Sequence, residues 1–188
     1  MRTLRTLFLV FFLLLLASTS DAARGPNPES IFTQQTKGSY ELTVPVSNLV
    51  AIIPRGDLVL GSNPTMAVEN PRYFFLEDAA QQLIISGWFE PEQGFLGLKE
   101  FWEGEKAKWR ERGQPDPQAV SFARISDWEV VLYDMTLPTG SNSHIRAHWV
   151  QAGTWIDLHL SITSERTPAE NRKKLKSILK AVQIRQKE

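Results

Sequence analysis

The chain has 188 residues, of which 42% are hydrophobic and 22% charged, and its 21 basic and 21 acidic side chains give a formal net charge of zero. These values are typical of a globular protein and exclude a disordered, collagen-like or coiled-coil chain. The balanced charge gives no indication of a nucleic-acid partner. Because the chain has no cysteine, disulfides and a lipid-modified cysteine anchor are excluded, and stability must come from a packed core.

Residues 1–22 have the pattern of a secretory signal peptide. Two arginines precede an apolar run over residues 7–17, and small and polar residues follow it. We expect cleavage after Ala22, which places the small residues Ser20 and Ala22 at positions −3 and −1 of the cleavage site. The run is shorter than the about 20 residues that span a bilayer, and an uncleaved membrane anchor is the alternative interpretation. We therefore expect an exported protein with no membrane span after signal removal, located in a Gram-negative periplasm or, as the alternative, secreted.

The remaining chain is predicted to form a flexible polar lead-in, residues 23–38, and a single domain, residues 39–188. Short alternating apolar runs separated by turn residues predict strands in the first part of the domain. These runs are Tyr40–Val44, Leu49–Ile53, Arg72–Leu76 and Leu83–Phe89, with shorter pieces at 58–60 and 66–68. The pattern then changes to a helical period over Leu98–Arg112, where apolar and charged side chains occupy opposite sides and Gly113 provides a stop.

The second half of the domain predicts four more strands, the last two joined by a tight turn at Ala152-Gly153. The strands are Ala119–Ile125, Trp128–Leu137, His144–Gln151 and Thr154–Thr163. Pairing Gln151 with Thr154 across the turn gives a register in which partner numbers sum to 305. This register separates apolar from polar side chains onto two faces, which supports it. The polar face then pairs His148 with Asp157, Arg146 with His159 and His144 with Ser161.

A C-terminal helix follows these strands. Thr167 and Glu170 form a capping box with Pro168 at the first helical position. An apolar stripe faces inward, and the outer face is basic, with Arg172, Lys173, Lys174, Lys176 and Lys180. This basic face is either ordinary solvated surface or a contact for anionic lipid or an acidic partner.

The order of elements predicts an α+β fold with a mainly antiparallel sheet and two main helices packed on it. In this order and in hydrophobic pattern the chain resembles the PsbP-like superfamily, which includes the photosystem II extrinsic protein, the Mog-type Ran-binding proteins and bacterial periplasmic relatives. The resemblance covers residues 39–184 and is closest in the hairpin WVQAGTWIDLHLSIT and in the helix ending LKSILKAVQI. It implies a PsbP/Mog-like sandwich and a role in binding or stabilising other proteins, although a fold alone does not determine function.

The histidines of the hairpin are the main candidates for chemistry. His148, Asp157 and His159 are cross-strand or diagonal neighbours, within about 5 to 8 Å. They are candidate ligands of one divalent metal such as zinc, or a His–Asp acid/base pair. His144 lies about 13 Å along the strand from His148, at ~3.3 Å per residue, and is not expected to be a co-ligand. The alternative is a hydrogen-bonded polar layer under a covering helix or loop, with Arg146 paired to Asp157.

Aromatic side chains around the first helix are the second candidate. They are Trp88, Phe89, Phe95, Phe101, Trp102 and Trp109. Either they are plain core, or they line a groove between helix and sheet that binds a ligand or a peptide. We take Trp88, Trp155 and Arg146 as the predicted binding residues.

These candidates lead to two functions. The first is an exported, non-catalytic binding or accessory protein without a cofactor, whose partner is another periplasmic protein or a small ligand and not nucleic acid. The alternative is a metal-binding or hydrolytic enzyme that uses His148, Asp157 and His159. A carrier with an apolar cavity of about 300 Å³ or more inside the sandwich is a third interpretation. No GxSxG or GxxxxGK[ST] motif is present in the sequence.

Overall fold

The computed structural model describes residues 31–44, 47–61, 72–137 and 140–187. The predicted leader at 1–22 and the apolar piece at 66–68 lie outside the described residues. The strands are β1 (Phe32–Gln35), β2 (Ser39–Thr43), β3 (Leu49–Pro54), β4 (Val59–Leu60), β5 (Tyr73–Asp78), β6 (Leu83–Pro91), β7 (Gln118–Ile125), β8 (Trp128–Leu137), β9 (Gly140–Gln151), β10 (Thr154–Ser164) and β11 (Gln183–Gln186). The helices are α1 (Leu98–Glu111) and α2 (Pro168–Ala181), and a short 3-10 turn, Glu92–Gly94, precedes α1.

These strands form two antiparallel sheets, so the predicted α+β class with mainly antiparallel strands is confirmed. The larger sheet has the order β4-β5-β6-β10-β9-β8-β7, and the smaller one has the order β1-β2-β3-β11. The inner face of the larger sheet packs against the smaller sheet and α2 in one apolar core. Helix α1 covers part of its outer face. None of the described helices is long and apolar enough to cross a bilayer.

The main core follows from alternation along the strands. In β3, Leu49, Ala51 and Ile53 are all fully buried, while the residues between them are partly exposed. Helix α2 contributes Leu175 and Leu179, one turn apart, to the same core. Its amino terminus has the predicted capping box, because Thr167 and Glu170 each bond the backbone of the other.

Two strands were not expected from the sequence. Phe32–Gln35 lies in the predicted flexible lead-in but pairs with β2, with Phe32 opposite Thr43. The C-terminal helix ends at Ala181, and Gln183–Gln186 pairs with β3 as a strand, although the predicted helix extends to Ile184. Both are short polar segments whose strand structure comes from a partner distant in the chain, and local pattern does not reveal such pairing.

The predicted hairpin register is confirmed. Thr154 is opposite Gln151 and Asp157 is opposite His148, so partner numbers sum to 305 throughout β9 and β10. Ala152 and Gly153 have φ values of +49° and +74°, as a two-residue turn that follows the strand twist requires. The polar face of this hairpin therefore lies where the sequence places it.

Gly87 lies where β6 and β10 approach closely. A Cβ on Gly87 would overlap the carbonyl oxygen of Asp157 and lie 3.0 Å from Cδ2 of Leu158. Any side chain here would force the two strands apart under the polar layer described below.

We therefore predict that Gly87→Ala lowers the free energy of unfolding by about 2 to 3 kcal/mol, as overpacking does in a close-packed sheet. Gly104→Ala is the matched control, because a Cβ at that exposed position of α1 meets nothing within 4 Å, and it should stabilise by up to about 1 kcal/mol. Urea unfolding at pH 7 measures both variants. A Gly87→Ala protein as stable as the wild type would contradict the close approach.

Candidate functional site

Helix α1 covers the outer face of the larger sheet over β8. Leu98 and Trp102 are buried against Val131 and Tyr133 and form a second, smaller apolar cluster. Towards β9 and β10 this face changes from apolar to polar, and it carries the side chains that the sequence analysis selected. The candidate site is this polar layer together with the aromatic side chains above it.

An ion pair between Arg146 and Asp157 lies at the centre of the polar layer. Arg146 Nη2 donates to Asp157 Oδ2 at 2.8 Å, and Nε lies 2.7 Å from Oδ1. Arg146 is 8% exposed and Asp157 is fully buried, so each charge depends on the other for compensation. The guanidinium carbon also lies 4.8 Å from the ring centre of Trp88 and 5.0 Å from that of Phe101, within range of cation–π attraction.

His148 lies beside this pair in an aromatic enclosure. It is 1% exposed, and its Nε2 is 3.3 Å from Asp157 Oδ1. The ring centres of Phe95, Phe101 and Trp155 lie 5.2, 4.4 and 5.3 Å from its own, all steeply tilted to it. Asp157 therefore faces both Arg146 and His148, and three rings cover the imidazole.

The other two histidines pair with each other. His144 Nδ1 lies 3.0 Å from His159 Nε2, and the Tyr133 ring stacks on that of His144 with centres 4.6 Å apart. His144 Nε2 is buried without a partner among the described residues, so a proton on that nitrogen would have no acceptor. The favoured tautomer of His144 therefore carries its proton on Nδ1 and donates it to His159 Nε2. Burial, and then the charge of Arg146, lower the pKa of His144 to about 4 and that of His159 well below the ordinary value.

The predicted metal ligand set is not assembled. His159 bonds to His144, which the sequence analysis set aside, and not to His148 or Asp157. Asp157 is already engaged by Arg146. Among the described residues no three His, Asp or Glu side chains are grouped so as to hold a metal ion. The polar layer under a covering helix, with Arg146 paired to Asp157, is the arrangement found.

A cleft opens above this layer, between α1 and the strands β6 and β10. Its volume is about 620 Å³. Four half-buried aromatic side chains line it: Trp88, Phe101, Trp109 and Trp155. Four charged residues also line it: Glu90, Glu105, Lys108 and Arg112. A cleft of this size, apolar in part and bordered by polar groups, is typical of a small-ligand site.

The predicted binding residues therefore separate into two roles. Trp88 and Trp155 both line the cleft, and Arg146 lies next to Trp88 and Phe101 in the layer beneath. Of the aromatic residues around the helix, Phe89 is instead buried in the main core on the other face of the sheet. Arg112, at the end of α1, was not selected from the sequence, where it is indistinguishable from the other basic residues of that helix.

The chain has a distant structural similarity to a solved protein. No protein-family model and no curated protein matches the chain. Among solved structures, a crystal structure of a protein from Bacteroides thetaiotaomicron VPI-5482, at 1.50 Å resolution, is similar with a TM-score of 0.45 and 7% identity. The similarity covers 73% of this chain, which spans 45% of the length of that protein.

The ion pair leads to a test by substitution. Asp157→Ala leaves the Arg146 charge buried without compensation, and we expect it to lower the free energy of unfolding by about 3 to 5 kcal/mol. The double variant Arg146→Met/Asp157→Leu removes both charges and should recover most of that loss. Arg110→Met is the control for an exposed pair, with Asp116, and should change stability by less than about 1 kcal/mol. If the double variant is as unstable as Asp157→Ala, the buried charge is not the cause.

The neutral histidines lead to a test of pH dependence. An unfolded histidine has a pKa near 6.5, whereas that of folded His144 is about 4. Between these pH values the unfolded chain binds more protons than the folded chain. The contribution of His144 to the free energy of unfolding is therefore fully present above pH 6.5 and is lost as the pH is lowered towards 4. For His144 alone the loss from pH 7 to 4.5 is about 2 to 3 kcal/mol.

We expect urea unfolding at these two pH values to show a smaller loss for His144→Gln than for the wild type, by about that amount. Protonation of carboxylates affects both proteins and cancels in the comparison. Equal losses in the two proteins would show that His144 is not held neutral in the folded state.

Proposed function

We propose that this chain is an exported, non-catalytic binding or accessory protein of the PsbP-like kind, and that it contacts another periplasmic protein or a small ligand through the cleft between α1 and the sheet. The observation that carries the proposal is the convergence of Trp88, Phe101, Trp109 and Trp155 on one open cleft. Rings that are only half-buried keep surface available for a partner, in contrast to Trp102, which the helix buries.

The chemistry beneath the cleft favours binding over catalysis. The carboxylate of Asp157 is held by Arg146 on one side and faces His148 on the other. His148 is covered by three rings and is 1% exposed. A general base must reach its substrate proton within hydrogen-bond distance, and these groups instead support the floor of the cleft.

The leader supports the proposed location. Residues 1–22 combine a basic start, an apolar run and small residues at the expected cleavage site. An exported partner or ligand would therefore be met outside the cytoplasm, where a domain without cysteine depends on its core for stability.

A neutral aromatic probe tests the cleft. We expect N-phenyl-1-naphthylamine to bind the purified protein saturably, because the cleft offers ring surfaces and about 620 Å³ of space. Trp88→Leu and Trp155→Leu should each weaken the affinity by about 5- to 10-fold, as loss of one aromatic contact does. Probe fluorescence measures the affinity, and circular dichroism checks that the variants remain folded.

Trp149→Leu is the matched control. Trp149 is also half-buried, but it packs on the main core against Trp128 and away from the cleft. The control should bind the probe like the wild type. Absence of saturable binding, or equal loss in all three variants, would contradict the proposed site.

A further inference from the structure

The charged side chains around the cleft are not equivalent. Lys108 Nζ lies 2.9 Å from Glu105 Oε1, and Glu90 takes part in an interaction of its own. Arg112 also lines the cleft, but its guanidinium makes no hydrogen bond or ion pair among the residues the structure describes. The border of the cleft therefore has one guanidinium without a hydrogen-bond or ion-pair partner among the described residues.

Three other basic residues near this end of α1 form ion pairs. Lys106 pairs with Glu103 at 2.8 Å, Lys108 pairs with Glu105, and Arg110 pairs with Asp116 at 3.3 Å. Arg112 is the C-cap residue. Among the described residues only its backbone N–H forms hydrogen bonds, with carbonyl groups of the last turn of the helix. A cation at the carboxyl end of a helix complements the carbonyl groups there. This explains why the C-cap residue is basic, but it does not explain why that residue borders an aromatic cleft.

The floor of the cleft adds no net charge. Arg146 approaches the Trp88 and Phe101 rings, but its charge is compensated by the carboxylate of Asp157. The lining therefore combines aromatic surface with one guanidinium at the border that has no hydrogen-bond or ion-pair partner among the described residues. An arginine fork binds carboxylates well, because its N–H groups match the two oxygens.

From the aromatic lining and the unpaired guanidinium of Arg112 we propose that the cleft takes an aromatic acid: a planar apolar group that lies against Trp88 and Trp155 and carries an anion that binds Arg112. This inference rests on the proposed function and adds the chemical class of the ligand. The volume of about 620 Å³ is within the range of small-ligand sites and accommodates a two- or three-ring molecule. The anion is a carboxylate or sulfonate, either of a free small molecule or of the carboxyl end of a peptide with a terminal aromatic residue.

The test compares two probes that share one aromatic framework. 8-Anilinonaphthalene-1-sulfonate carries an anion, and N-phenyl-1-naphthylamine is its neutral counterpart. Arg112→Gln should weaken the sulfonate probe by about fivefold or more, as loss of a charged contact does, and leave the neutral probe unchanged. Raising the salt concentration should likewise weaken only the sulfonate probe in the wild type.

Arg110→Gln is the matched control, because Arg110 lies on the same helix but pairs with Asp116 and does not line the cleft. Arg110→Gln should leave the affinities for both probes unchanged. Thermal melting of Arg110→Gln and Arg112→Gln distinguishes a loss of helix stability from a loss of binding. If Arg112→Gln affects both probes equally, or neither, the inferred charge preference is wrong while the aromatic site stands. If neither probe binds the wild type, the proposed function fails with it.

Competition distinguishes the two sources of the acid. We expect 1-naphthoate to displace the sulfonate probe, as a free aromatic carboxylate would. Displacement by N-acetyltryptophan as well, but not by its neutral amide, would extend the site to a peptide carboxyl end. Failure of both acids to displace the probe would overturn the inference.

Discussion

The buried ion pair of Arg146 and Asp157 is the constraint on which the outer face of the larger sheet depends. Neither charge reaches solvent to a useful extent, and each is tolerated only beside the other. The carboxylate occupies one edge of the guanidinium, so the cation keeps a fixed place next to the rings of Trp88 and Phe101. A ring from the sheet and a ring from the helix are thereby held at one point, and the cleft is built around them.

Burial, together with the charge of Arg146, explains the state of the neighbouring histidines. A protonated His144 or His159 would place a second buried positive charge near Arg146, whose only close carboxylate among its described contacts is Asp157. The two imidazoles are therefore neutral and share one hydrogen bond. The hydrogen bonds and the ion pair of this layer fix the side chains on the sheet surface under α1. Residue types that bind metals in other arrangements have a structural role here.

Local patterns predicted the parts of the fold that depend on local interactions. The two-residue turn at Ala152-Gly153, the register of β9 and β10 and the capping box at Thr167 all follow from neighbouring residues. His144 and His148 are the two diagonal neighbours of His159 across the hairpin, and the sequence alone does not distinguish them. The twist of a sheet makes the two diagonal distances unequal, and His159 contacts His144 and not His148. β1 and β11 depend on pairing with strands distant in the chain. Whether a basic side chain such as Arg112 has an ion-pair partner likewise depends on residues distant in the chain.

The position of α1 explains why a cleft exists at all. The helix buries Leu98 and Trp102 over β8, whereas the sheet continues beyond β9 to β10 and β6. Trp155 and Trp88, on those two strands, thus lie beside the helix and not under it, and Phe101 and Trp109 face them from the helix. A helix moved towards β6 would close the cleft and leave the ion pair under solid packing. The cleft is therefore a consequence of the part of the sheet on which the apolar stripe of α1 packs.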